Sequence, residues 1–163
     1  MKKSKKQNII IVAIAAIIIG AIAGYNYSVE QTKQKGLRFG NELQQIQEEV
    51  KQLQTEFNSK ITQWEEGDLS QQELSEYSKN HVEKMQNAIL KYDELIPPKQ
   101  FASSVELFKL STQAQLDSDK EFIEWVKTSD DSHNIRSDSL LQESFEYEMM
   151  ALGEFNAAKS GLR

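Results

Sequence analysis

From Phe39 onward the apolar residues recur every three or four positions. Phe39, Leu43, Ile46, Val50, Leu53, Phe57, Ile61 and Trp64 form one such series, interleaved with Gln, Glu, Lys, Asn and Thr. This spacing puts them on one face of an α-helix, close to a heptad seam. The first helix is expected to end at Gly67-Asp68. Ser70-Gln71-Gln72-Glu73 then reads as a capping box, in which serine and glutamate satisfy each other's orphan backbone N–H groups. A second helix follows, with Leu74, Tyr77, His81, Met85, Ala88, Ile89, Tyr92 and Leu95 on one face. Pro97-Pro98 stops it, because neither proline donates the next helical hydrogen bond and Pro97 disfavours helix at Ile96. A third helix starts near Lys99 and carries Phe101, Val105, Phe108, Leu116, Phe122 and Val126. The cluster from Thr128 to Ser132 is a turn. A fourth helix runs from Ser132 or Ser137 to Lys159, with Leu141, Phe145, Leu152 and Phe155 as its stripe and Gly161 as a left-handed cap.

Short turns between long amphipathic helices favour antiparallel neighbours. The fold class is therefore all-α: an up-down-up-down four-helix bundle over residues 30–163. The alternative is a parallel coiled-coil stalk made by the first helix, with a smaller helical hairpin on top.

The bundle is preceded by a different pattern. Residues 1–8 form a basic tail with Lys2, Lys3, Lys5 and Lys6, and an almost purely apolar run spans Ile9 to Gly24. A membrane span needs roughly 20 residues. Tyr25, Tyr27 and Val29 extend the run, so residues 9–29 suffice for a single transmembrane anchor, with the tyrosines at the headgroup level. The lysines would hold the N-terminus in the cytoplasm and place the bundle outside the cell membrane. The competing reading is a cleaved signal peptide, since Ala21-Ile22-Ala23 has the small-residue pattern of a cleavage site. No second long apolar run follows.

Composition narrows the function. Removing the four lysines of the tail from the 19 basic residues leaves 15 against 25 acids, a net charge of −10 for the remainder. Such a surface argues against a nucleic-acid partner. With no cysteine in the chain, disulfides, thiolate metal sites and cysteine nucleophiles are all excluded. Two prolines and seven glycines are too few for the many turns of an all-β domain.

Three ionisable residues fall within apolar faces: His81 between Tyr77 and Met85, Asp119 between Leu116 and Phe122, and Glu148 between Phe145 and Leu152. In an antiparallel bundle His81 and Asp119 come to similar heights, with Glu148 nearer the membrane beside Thr112 and Gln115. These five residues are the candidate polar layer or ligand site. As structure, they would fix the register of the helices. As a site, they would hold a metal or a polar ligand. Di-iron bundles need Glu-x-x-His pairs, and this chain has none. His81-x-x-x-Met85 offers copper only a soft pair at helical spacing. No metal ligand set, cofactor or catalytic residue is assigned. Trp64 and Trp125 fall at the distal end, as core caps or a partner patch. The glutamines from Gln44 to Gln54 read as an uncharged solvated face. Leu107, Leu110, Ala114 and Trp125 give the third helix a second apolar strip.

Ile96-Pro97-Pro98-Lys99-Gln100-Phe101 followed by Ser104-Val105-Glu106-Leu107-Phe108 is similar to a pattern in membrane-anchored helical-bundle proteins of ammonia-oxidising archaea. Gln142 to Glu148 and Phe155 to Gly161 resemble the same group. The resemblance covers the C-terminal half and implies a prokaryotic cell-surface setting, with no activity attached. One N-terminal span before a bundle also resembles a chemoreceptor sensor domain, but the second span and signalling helices of such receptors are missing. The functional expectation is a structural or interaction module anchored in the membrane, an accessory subunit bound to a protein partner or to further copies of itself. The alternative is a metal- or small-ligand-binding sensor module on the outer face. No enzyme activity is expected.

Overall fold

The computed structural model describes residues 33–161. They form four helices and, among the described residues, no strand: α1 (Lys33–Glu65), α2 (Gln71–Glu94), α3 (Ala102–Thr128) and α4 (Asp131–Ser160), with a 3₁₀ turn at Lys99–Phe101 before α3. The basic tail and the apolar segment 9–29 lie outside the described residues. Among those described, no helix is long and apolar enough to cross a membrane.

The turns follow from local chemistry. Gly67 adopts φ +83° after α1, a conformation that costs glycine nothing. The Gly67 and Asp68 N–H groups then bond the Trp64 and Gln63 carbonyls at 3.1 and 2.8 Å. Ser70 caps α2 as a reciprocal box: Glu73 N–H donates to Ser70 Oγ at 3.2 Å, and Ser70 N–H to the Glu73 carboxylate at 2.9 Å. The hydrogen bond from the Ser70 side chain holds the Glu73 carboxyl below its ordinary pKa. The prolines end α2 at Glu94, and Leu95 is already extended. Between α3 and α4, Ser129 is left-handed at φ +57° and Asp130 accepts from Ser132 N–H at 2.9 Å. The end of α4 departs from expectation. Gly161 is right-handed, at φ −71°, and its N–H bonds Ala157 as an ordinary helical residue would.

Successive helices run antiparallel. Gln47 and Gln54 of α1 meet Tyr92 and Met85 of α2, so numbers rise on one helix as they fall on the other. Tyr92 and His81 meet Thr112 and Asp119 in the same sense, and Ser111 and Ser118 meet Ser144 and Ser137. The α1 seam is buried within this chain. Leu53, for instance, packs with Met85, Ala88, Ile89 and Leu116. This replaces the alternative of a parallel stalk. Leu53→Ala is expected to cost about 2–5 kcal/mol, because a buried leucine loses both its transfer energy and its packing. Gln52, exposed and with its side chain bonded to Glu56 one turn away, should tolerate Ala. Thermal melts that show equal losses for the two would contradict the seam.

The fourth helix packs differently from its apolar stripe. Leu152 and Phe155 are buried, but Phe145 is 39% exposed. The face against α3 is instead Ser137, Ser144 and Ala151, seven residues apart and all buried. Opposite them stand Ser118, Ser111 and, by the same register, Ser104. Ser111 and Ser144 each donate a hydroxyl proton to the other's backbone carbonyl, at 2.9 and 2.8 Å. Ser118 and Ser137 repeat the exchange at 2.8 and 2.9 Å. Small side chains allow close approach of the two backbones, and the hydroxyls satisfy themselves on the facing helix.

Candidate functional site: two buried polar layers

Three helices contribute to the upper polar layer. The face of α2 that buries Met85 also buries His81, and the face of α3 that buries Leu116 and Ile123 also buries Asp119. His81 Nε2 stands 2.9 Å from Asp119 Oδ2, and that oxygen also accepts from Gln54 Nε2 of α1 at 2.6 Å. A carboxylate is acceptor-only, so the shared proton lies on Nε2 of the imidazole. The His81 ring stacks on Phe57, with centroids 4.2 Å apart and planes 6° from parallel. Two buried atoms in this layer have no hydrogen-bond partner, His81 Nδ1 and Gln54 Oε1.

A lower layer lies seven residues away on both α1 and α3. Gln47 Nε2 donates to the Tyr92 hydroxyl at 2.6 Å, and that hydroxyl meets Thr112 Oγ1 at 3.0 Å. Thr112 passes its own proton to the Phe108 carbonyl at 3.0 Å. Tyr92 therefore accepts from Gln47 and donates to Thr112. Burial raises its pKa above the ordinary tyrosine value, and the nearby Glu148 charge adds to the rise. Glu148 is half-buried, and burial alone pushes its carboxyl up to about 8.

Among the five candidate residues, the fold thus joins His81 to Asp119 and places Thr112 and Glu148 around Tyr92. Gln115 is half-buried and makes no side-chain hydrogen bond among the described residues. The α3–α4 serine register sets Glu148 opposite Leu107, about two turns from Gln115 rather than beside it. Gln47 and Gln54, expected on a solvated face, are 7% and 2% exposed. Their signal was the heptad interval between them, each lying one position beyond a seam residue.

The chemistry available here is limited. Among the described residues, His81 has an orienting carboxylate in Asp119 but no side-chain nucleophile bonded to it. The neighbouring buried Ser78 hydroxyl is committed to the Leu74 carbonyl at 2.7 Å. Among the described residues, no three His, Asp or Glu side chains gather where a metal ion could sit. His133 bonds Glu121 at 2.6 Å, with Arg136 at 3.0 Å from the same carboxylate. The hydrogen bond to Glu121 raises the His133 pKa. At the distal end Trp64 and Trp125 lie edge to face with centroids 6.0 Å apart, each also against Phe122 and each half-buried. They cap the core there. Of the second strip on α3, Ala114 is buried and Leu107 packs on the lower core, consistent with α3 lying between α2 and α4. Comparison of the chain with protein-family models, curated proteins and solved structures gives no match.

Proposed function

We propose that the chain is a membrane-anchored, extracytoplasmic up-down-up-down bundle that serves as a structural or interaction module, an accessory subunit of a membrane complex. The observation that carries this reading is how the buried polar groups are used. Gln54, His81 and Asp119 bond one another, as do Gln47, Tyr92 and Thr112. Such layers fix helix register, because a slip by one turn would strand every one of these groups. An interaction role also suits α4, which leaves Ile135, Met149 and Met150 at least half exposed. The address rests on the four lysines followed by the apolar run from Ile9 to Gly24.

Purification from native membranes in mild detergent tests both parts. Retention of residues 1–29 and stoichiometric co-purifying chains are expected. A mature N-terminus at Gly24 would remove the anchor, and a monomer with no companion would remove the accessory role.

One observation favours a second reading, a ligand-binding module: the unpartnered His81 Nδ1 and Gln54 Oε1. A metal-binding imidazole commonly holds its other nitrogen on a carboxylate, as His81 does on Asp119. Elemental analysis separates the two readings. Stoichiometric copper, zinc or iron, lost with His81→Ala, would establish the ligand-binding module in place of the structural one.

A further inference from the structure

The turn between α2 and α3 lies at the end of the bundle where α1 begins. Phe101 of that turn meets Phe39 of α1 and Phe155 of α4, with ring centroids 5.6 and 5.0 Å apart. Leu95 is extended and turns inward onto the lower core. Ile96 follows it and points the other way, as successive side chains of extended backbone do. It is 85% exposed, more than any other large apolar side chain among the described residues. Pro97 and Pro98 stiffen the backbone beside it, so the apolar tip is presented by a rigid corner.

Charge is divided between the two ends. At the lower end α1 carries Lys33, Lys35 and Arg38 and no acid before Glu42. The turn 95–101 carries Lys99 and no acid, and Lys159 ends α4 with no acid after Glu154. Lys99 is exposed, Lys159 is half-buried and Arg38 is bonded to Glu42 one turn above, while exposed Glu94 and Glu154 border this end. The distal turns are the reverse. One holds Glu65, Glu66, Asp68 and Glu73 and the other Asp130 and Asp131, with no lysine or arginine in 65–73 or 129–132. The apolar run with its extension ends at Val29, four residues before Lys33. Four residues reach at most about 14 Å. A span ending at Val29 therefore keeps the lower end within that distance of the headgroups.

We propose that the bundle stands end-on on an anionic lipid surface, with Ile96 in the headgroup layer and the basic residues of the lower end over the lipid charges. This rests on the membrane anchor proposed above. The anchor alone holds the bundle at one point, about which it can tilt; the Ile96 corner adds a second point. An inserted apolar side chain and a set of basic residues each bind a membrane weakly, and together they reinforce one another on a negative surface. The same surface repels the acidic distal turns, which favours this end over the other.

Because the chain has no cysteine, Ile96→Cys provides a single thiol for a solvent-sensitive dye at a site outside the core. Gln72→Cys, exposed at the distal end of α2, is the reference, about 35 Å away along the helix. Full-length protein is reconstituted in vesicles of phosphatidylglycerol and phosphatidylcholine that carry a headgroup nitroxide. Emission at position 96 should shift to shorter wavelength and be quenched at least about threefold more than at position 72, because only the former reaches the headgroup layer. Lys99→Glu with Lys159→Glu, or vesicles of phosphatidylcholine alone, should remove about half of that quenching or more. Quenching that survives both changes overturns the anionic surface. A dye at position 96 that is blue-shifted but unquenched overturns the lipid contact in favour of a protein covering the corner. Alkaline carbonate extraction of the same vesicles tests the anchor separately. Retained protein whose emission at position 96 is as aqueous as at position 72 overturns the end-on contact and leaves the anchor standing. Protein released by carbonate removes the anchor, and this inference with it.

Discussion

Asp119→Ala is expected to be the most damaging single substitution in the bundle, lowering stability by about 3–5 kcal/mol. The carboxylate is the common acceptor of the upper layer, taking hydrogen bonds from His81 at 2.9 Å and Gln54 at 2.6 Å. Its removal takes the acceptor from His81 Nε2 and leaves Gln54 Nε2 with the weak contact to Met85 Sδ at 3.8 Å, so the desolvation cost of both groups goes largely uncompensated. His81 is 1% exposed and Gln54 2%, so water cannot replace the lost acceptor without opening the core. The layer lies between two apolar clusters, one around Leu53 and Met85 and the other around Phe57 and Ile61. An apolar replacement of the whole layer would join them. Gln54→Leu, His81→Phe and Asp119→Leu together should therefore recover most of the loss, since a polar network exchanged whole for apolar groups of similar volume is often neutral. Urea denaturation of the single, triple and wild-type proteins supplies the comparison. A triple variant no more stable than Asp119→Ala would mean that the three groups are not one unit.

The contrast between α1 and α4 explains how much of the fold is legible in the chain. On α1 the seam alternates large apolar residues with charged ones, so a period of three to four identifies the buried face, and Phe39, Leu43, Leu53 and Phe57 are all buried. Caps and breaks are equally direct, because Ser70, Glu73, Pro97 and Pro98 act through their own backbone. His81 and Asp119 stand out in the sequence because each interrupts an apolar face. Gln54, which joins them, does not. A glutamine beside a seam has the same appearance whether its amide meets water or a buried carboxylate, and only the identity of the facing residue decides. On α4 the large apolar side chains mislead. Phe145, Met149 and Met150 are solvent-exposed, whereas Ser137, Ser144 and Ala151 line the contact. Serine is common on surfaces. Its seven-residue spacing acquires meaning only when the matching spacing of Ser104, Ser111 and Ser118 is set opposite it in register.

Ser144→Leu should therefore cost far more than its place in a hydrophilic-looking helix suggests. Ser144 is 4% exposed, and its Oγ lies 3.2 Å from Ser111 Oγ and 2.8 Å from the Ser111 carbonyl. A leucine there has no space unless α3 and α4 separate, and overpacking of a well-filled contact costs about 1–3 kcal/mol, occasionally more. The Ser111 hydroxyl would also lose the hydroxyl opposite it. Both effects act together, so a loss of about 3 kcal/mol or more is expected. Ser144→Ala keeps the close approach and deletes one hydrogen bond, a loss of about 1 kcal/mol. Ser111→Ala and Ser144→Ala should combine less than additively, because the two serines share one set of contacts. A double-mutant cycle in urea measures that coupling. If leucine at position 144 is tolerated as well as alanine, the helices are not held at serine distance, and the clasp does not determine how α4 packs on α3.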